Sequence, residues 1–293
     1  MTQTQFVMLE DRGVLAVGGV DRANFLQGLV SNDTARISSE RAVYAALLTP
    51  QGKYLHDFFM IESSDAIWLD AEAPRLADLK RRLSMYRLRA KVTLEERPDL
   101  AVAAIFGGAL PTSPEEPGAT RALDNGVVFV DPRLAALGAR AILPRERLDE
   151  VLRKADVVET GFAEYDRLRL SLGVPDGSRD LVLDKSILLE SGFDELNGVD
   201  WDKGCYIGQE LTARTKYRGL IKKRLFPVRI DGPTLVPGAI ITLDGHEAGE
   251  MRSSADGIGL ALLRLEAVAN HQTLEAGESR ITPITPGWMR LPE

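Results

Sequence analysis

Apolar residues in this chain fall into short runs, and the period within each run changes along its length. Residues 14–17 form a compact apolar run ended by Gly18-Gly19, which reads as a strand. Asp21 then stands at an N-cap position ahead of Phe25, Leu26, Leu29 and Val30 at helical spacing, with a stop expected at Ser31-Asn32-Asp33. Residues 42–48 and 54–61 are strands joined by Thr49-Pro50-Gln51-Gly52-Lys53, a turn in which proline presets φ and glycine accepts a positive φ. A third strand at 66–69 precedes a helix opened by Pro74, with Leu76, Leu79, Leu83 and Tyr86 on its apolar stripe and Lys80, Arg81 and Arg82 opposite. Strands at 92–94 and 101–106 are expected to complete a β–α–β pattern.

The stretch 111–118, with three prolines, is a surface loop. Strands follow at 127–130 and 139–143, then helices over 145–154 and 161–172, the second with Phe162, Tyr165, Leu168 and Leu172 on one side. Gly173-Val174-Pro175-Asp176-Gly177 cannot continue a helix. From Leu225 onward, short alternating runs are separated by Asp-Gly and Pro-Gly turns, the pattern of a small antiparallel barrel or sandwich. The expected organisation is an α+β body over 1–221 and a β-barrel domain over 222–293.

Composition narrows the function classes. With 293 residues, 44% of them hydrophobic and 27% charged, the chain is an ordinary globular protein of more than one domain. No apolar run approaches the roughly 18 residues of a membrane span, and the N-terminus lacks a signal or transit pattern, so a cytoplasmic location without membrane contact is expected. The single cysteine excludes an internal disulfide, a thiolate zinc site and a self-contained iron–sulfur cluster, and the three scattered histidines give no metal-ligand spacing. A net charge of −7 argues against direct nucleic-acid binding. Arg214, Lys216, Arg218, Lys222, Lys223 and Arg224 form an acid-free local exception. Such a run is either a solvated basic face or a rim that attracts carboxylates or an acidic partner.

Candidate chemistry concentrates at Lys203, Gly204, Cys205, Tyr206, Ile207, Gly208, Gln209 and Glu210. A lone cysteine is commonly a small buried hydrophobe. Here a preceding lysine, two glycines and a following helix start could instead favour an available thiolate. Such a thiolate could be a nucleophile, a redox-sensitive group or one ligand of a cluster shared with a partner. The absence of a nearby histidine weakens the nucleophile reading. Neither a Walker loop nor a dinucleotide fingerprint is present. Arg179, in a polar loop after the 161–172 helix, is either a solvated turn residue or a carboxylate partner.

These residues resemble the YgfZ/GcvT-like folate-binding family over almost the whole chain. Phe25 through Asp33, Leu48 through Lys53, and above all Lys203 through Glu210 carry the likeness, and the segment from Leu189 to Val228 is most similar to the branch of mitochondrial iron–sulfur assembly factors, as an alphaproteobacterial relative would be. The resemblance implies a three-lobed ring of two α+β lobes and a barrel around a channel for tetrahydrofolate. It places Cys205 on the channel rim as a reactive thiol, with Lys203, Gly204, Tyr206, Gly208, Gln209, Glu210 and Arg214 as folate-site residues. It also implies a role in maturation or repair of [4Fe–4S] proteins, with carrier or scaffold proteins and client enzymes as partners and an indirect effect on tRNA modification. The other branch, the glycine-cleavage aminomethyltransferases, is the alternative. Its Asn-Ala start is replaced by Asp70-Ala71, Asp78 is out of register for its catalytic aspartate, and Ser171 stands where its folate-contacting glutamate would be.

Overall fold

The computed structural model of the protein describes residues 3–110, 116–269 and 273–291, so most of the proline-rich loop expected at 111–118 lies outside the described residues. The helices are α1 (Arg22–Gln27), α2 (Leu76–Tyr86), α3 (Leu148–Lys154), α4 (Phe162–Leu172), α5 (Gly177–Asp180), α6 (Gln209–Tyr217) and α7 (Leu265–Ala269). None of the described helices is long and apolar enough to cross a membrane.

The chain divides into two compact units. One holds Met1–Leu48, His56–Tyr165 and Asn197–Ile207, and the other Thr49–Leu55, Asp166–Leu196 and Gly208–Glu293. The first unit contains two sheets. One runs Val158–Glu159, Gln5–Met8, Leu100–Phe106, Ala139–Pro144, Gly126–Val130 and Thr120–Leu123; the other runs Val43–Leu48, Tyr54–Ser63, Ala66–Glu72, Arg12–Gly18 and Thr93–Glu96. The expected β–α–β unit is formed by Ala66–Glu72, α2 and Thr93–Glu96, whose two strands run parallel with Arg12–Gly18 between them, but the strand expected at 101–106 does not join it. Thr93–Glu96 pairs antiparallel with Arg12–Gly18 as an edge, whereas Leu100–Phe106 pairs with Gln5–Met8 and Ala139–Pro144 in the other sheet. Pro98 has no N–H for a continuing ladder, and the Leu100 N–H closes a turn on the Arg97 carbonyl, so the chain changes sheets there.

Helix α1 is shorter than its apolar spacing indicates. It ends at Gln27 with Gly28 as C-cap, and Asp33 caps the next 3₁₀ turn, Thr34–Arg36, through the Ala35 N–H. Asp21 is the N-cap residue of α1 and its carbonyl accepts the Phe25 N–H, but its carboxylate accepts the Lys91 N–H instead of a helix N–H. In α2 the buried stripe stops at Leu83, and Tyr86 points out. Helix α3 starts only at Leu148, because the Arg147 N–H first closes a turn on Pro144.

The second unit is built on a closed six-stranded barrel, Lys223–Asp231, Ile258–Arg264, His246–Ala255, Ile240–Leu243, Leu274–Ala276 and Ser279–Pro283 in order around it. Its core includes Phe226, Val228, Met251, Leu263 and Ile281. Leu170 of α4 packs with Leu225 and Leu260 on the outside of the barrel. The Trp288 indole donates to the Leu172 carbonyl at 2.7 Å, closing the C-terminal segment onto the end of α4.

Candidate functional site

The signature stretch is held by its lysine. Lys203 is buried, and its Nζ donates to the carbonyl oxygens of Gln27 (2.9 Å), Val30 (2.6 Å) and Asn32 (2.8 Å). Gln27 ends α1 while Val30 and Asn32 lie in the loop beyond it, so the three donors of one ammonium tie the last helical carbonyl to the chain that leaves the helix. Burial pushes the Lys203 pKa down to about 8, while Asp33 and Asp200 pull it up. The ammonium also lies 5.1 Å from the centre of the buried Tyr206 ring. Lys203 is therefore engaged inside the fold.

The rest of the Asn197–Ile207 segment is stitched to the same loop. Ser31 Oγ donates to the Gly198 carbonyl at 2.6 Å, and the Asp200 N–H donates to the Ser31 carbonyl at 3.0 Å. Asn32 Nδ2 donates to both the Tyr44 and Asn197 carbonyls. The Asn-Asp stop thus has a second use, as the floor on which the signature segment lies. On that floor Gly204 and Cys205 are exposed, and Cys205 is a free thiol. A β-carbon built on Gly204 meets nothing within 4 Å, and its φ is not positive, so neither packing nor backbone geometry demands glycine there.

Gly208 is different. It takes φ +84° as the N-cap of α6, a conformation that glycine adopts without a steric penalty. Glu210 sits in the first turn of α6, where a carboxylate favours the helix dipole; Gln209 is half-buried and Arg214 is exposed.

The basic run is thinner in space than in sequence. Lys216 pairs with Asp194 at 2.8 Å, and the buried Arg224 with Glu195 at 2.5 Å. Arg214, Arg218 and Lys222 remain exposed. Glu190 faces Lys53, Lys223 and Arg252, and burial raises its pKa. Arg179 is taken up by Asp166 and Asp176, and the fully buried Arg169 by Asp166 and Asp180, each at 2.6 Å. The polar loop after α4 is thus an internal ion-pair network.

Patterning along the chain missed one buried cluster. Asp70, fully buried, accepts from Arg12 Nε at 2.7 Å and Arg140 Nε at 2.9 Å, joining the two sheets of the first unit. Arg133 chelates Asp131, and Tyr44 donates to Asp57 at 2.9 Å. The guanidinium groups of Arg12, Arg133 and Arg140 lie 5.7, 5.0 and 4.5 Å from the Phe59 ring centre. The available signal was a charged residue inside otherwise apolar strands, as at Arg140. Asp78, the other aspartate near the expected transferase position, accepts from Arg81, Arg82 and, at 3.0 Å, from His56 Nε2.

Comparison with known proteins gives a consistent pattern. Residues 222–291 match the family model of the CAF17 C-terminal beta-barrel domain. The mitochondrial iron–sulfur cluster assembly factor IBA57 of Mus musculus is 35% identical over 311 residues, covering 96% of this chain and 84% of that protein. Its Homo sapiens counterpart is 36% identical over 313 residues with the same coverage. Among solved structures, the glycine cleavage system aminomethyltransferase T from Bartonella henselae superposes with a TM-score of 0.79 at 14% identity, over 96% of this chain and 85% of that one. The GcvT-like α+β fold with its C-terminal barrel is thereby shown.

Proposed function

The chain belongs to the IBA57 family of iron–sulfur cluster assembly factors, and on that premise we propose that it serves maturation of [4Fe–4S] proteins by lending Cys205 as one ligand to a cluster held together with a partner. One observation carries this reading. The only thiol of the chain is exposed beside a glycine with open space around it, on a segment fixed by the three carbonyl contacts of Lys203. A cluster normally takes about four thiolates, so a single fixed thiol suits shared ligation with a carrier or client. Loss of the protein would then reach tRNA modification only through enzymes that need such clusters.

Tetrahydrofolate fits as a ligand at its glutamate tail. Arg214, Arg218 and Lys222 are exposed and would hold tail carboxylates. When bound, it would supply a reduced pterin able to carry one-carbon units. Lys203 is not among its contacts in this reading, because its three donors are already used. Aminomethyl transfer of the glycine-cleavage kind is the weaker reading: Asp70 and Asp78 both spend their carboxylates on arginines, and Ser171 donates to the Leu168 carbonyl.

Anaerobic mixing with a [2Fe–2S]-loaded carrier protein, followed by gel filtration with visible absorbance, tests the proposal. Cluster colour should co-elute with the wild-type complex and be lost with Cys205→Ser. Equal retention by the variant would remove the thiol from the mechanism.

A further inference from the structure

The turn that follows α2 combines features that the fold itself does not require. Leu88 is 91% exposed and holds φ +40°, a left-handed conformation that β-carbon sterics disfavour for leucine. Met85 and Tyr86 beside it are also exposed. The Val20 turn joins them: the Asp21 N–H donates to the Lys91 carbonyl, the Asp21 carboxylate accepts the Lys91 N–H, and Val20 is 79% exposed. Four exposed apolar side chains thus lie on two turns that meet at Asp21 and Lys91. Such a group on a soluble protein marks an interaction surface.

Charge decides what covers it. Between Asp78 and Glu95 the chain has six cations and no acid. Arg81 and Arg82 are held by Asp78, and Lys80 by Glu96. Arg87, Arg89 and Lys91, interleaved with the exposed apolar residues, are exposed. We propose that this turn is a docking surface for an acidic, amphipathic segment of another protein, which lays apolar side chains against Met85, Tyr86, Leu88 and Val20 and carboxylates against Arg87, Arg89 and Lys91. Methionine, tyrosine and arginine are residues that recognition surfaces favour. A phosphate polymer or anionic membrane is a poorer fit, because the chain carries −7 overall and only three cations here are uncommitted. This surface goes beyond the cluster role of Cys205 and does not depend on it.

The test uses the full chain and a fluorescein-labelled peptide of repeated Glu-Leu-Leu-Glu units, read by anisotropy at low and physiological salt. Binding should weaken at least about tenfold with R87E/R89E and about fivefold with Leu88→Gly. Leu88→Gly keeps the left-handed backbone, so its melting temperature should hold or rise while docking falls, which a purely structural leucine would not show. The proposal is overturned if charge-matched polyglutamate binds as well as the peptide, or if neither variant changes affinity. It is equally overturned if phosphatidylglycerol vesicles or single-stranded DNA bind more tightly than the peptide. Sedimentation showing self-association that R87E/R89E abolishes would replace the acidic partner with a second copy of this chain.

Discussion

The ammonium of Lys203 lies 2.6 Å from the carbonyl oxygen of Val30, a residue 173 positions earlier, and the carbonyls of Gln27 and Asn32 complete its coordination. Lys203→Met leaves those three acceptors without their donor, and a loss of about 3–5 kcal/mol is expected from the desolvation cost of the unpaired carbonyls. Urea unfolding midpoints check it. Lys203→Arg should recover little, since a planar guanidinium cannot gather three carbonyls around one apex.

The two glycines of the signature separate packing from function. Gly208→Ala meets a positive φ and should cost about 1 kcal/mol. Gly204→Ala has space and an ordinary φ, so its stability should change by less than about 0.5 kcal/mol. It should nevertheless slow cluster handling, because the added methyl stands beside Cys205. Thermal melts paired with the cluster co-elution assay distinguish the two effects.

Asp70 neutralises two buried guanidinium groups at once. Asp70→Asn should therefore destabilise the first unit by about 3–5 kcal/mol, the usual cost of stranding a buried charge. A double variant that also replaces Arg12 with methionine should recover part of that loss. Equal destabilisation by the single and double changes would contradict the ion-pair account.

His56 makes stability depend on pH. Burial, reinforced by Arg75 and opposed by the Asp78 hydrogen bond, lowers its pKa from 6.5 to about 4. The unfolded chain then binds the extra proton first, so stability present above pH 6.5 is lost as the pH falls toward 4. The full loss from this group is about 3 kcal/mol. Burial alone would raise the Asp78 pKa, but hydrogen bonds from Arg82 and Arg81 hold it well below the usual carboxylate range, so it contributes only at lower pH. Denaturant titrations between pH 4 and 7 should show the slope in the wild type and a flatter one in His56→Gln.

Folate binding has its own measurement. Calorimetry should show tetrahydrofolate polyglutamate binding more tightly than the monoglutamate, with the difference reduced about tenfold or more in Arg214→Ala. Equal affinities for the two ligands would separate the basic face from the folate site.

Periodicity and turn chemistry located most strands, the hairpin turn at Gly52 and the start of the barrel, because these depend on local spacing and on residues with special φ. They did not reveal which sheet a strand joins: Leu100–Phe106 looks the same in either, and only pairing across the chain decides. The signature was visible as residue types, but the division of labour within it was not. A lysine before a cysteine reads as a charge for the thiol, whereas Lys203 satisfies carbonyls that no local rule connects to it. Arg224 likewise reads as part of a basic rim in the sequence, whereas in the fold it is paired with Glu195. Long-range polar satisfaction is the part that spacing cannot carry.

The most direct measurement is complementation of a strain deleted for this protein, with specific activities of [4Fe–4S] enzymes read against an iron-independent control enzyme. Cys205→Ala should fold and accumulate as the wild type does, because the thiol is exposed, and should leave those activities at the deletion level. Full restoration of [4Fe–4S] enzyme activity by Cys205→Ala would contradict the account.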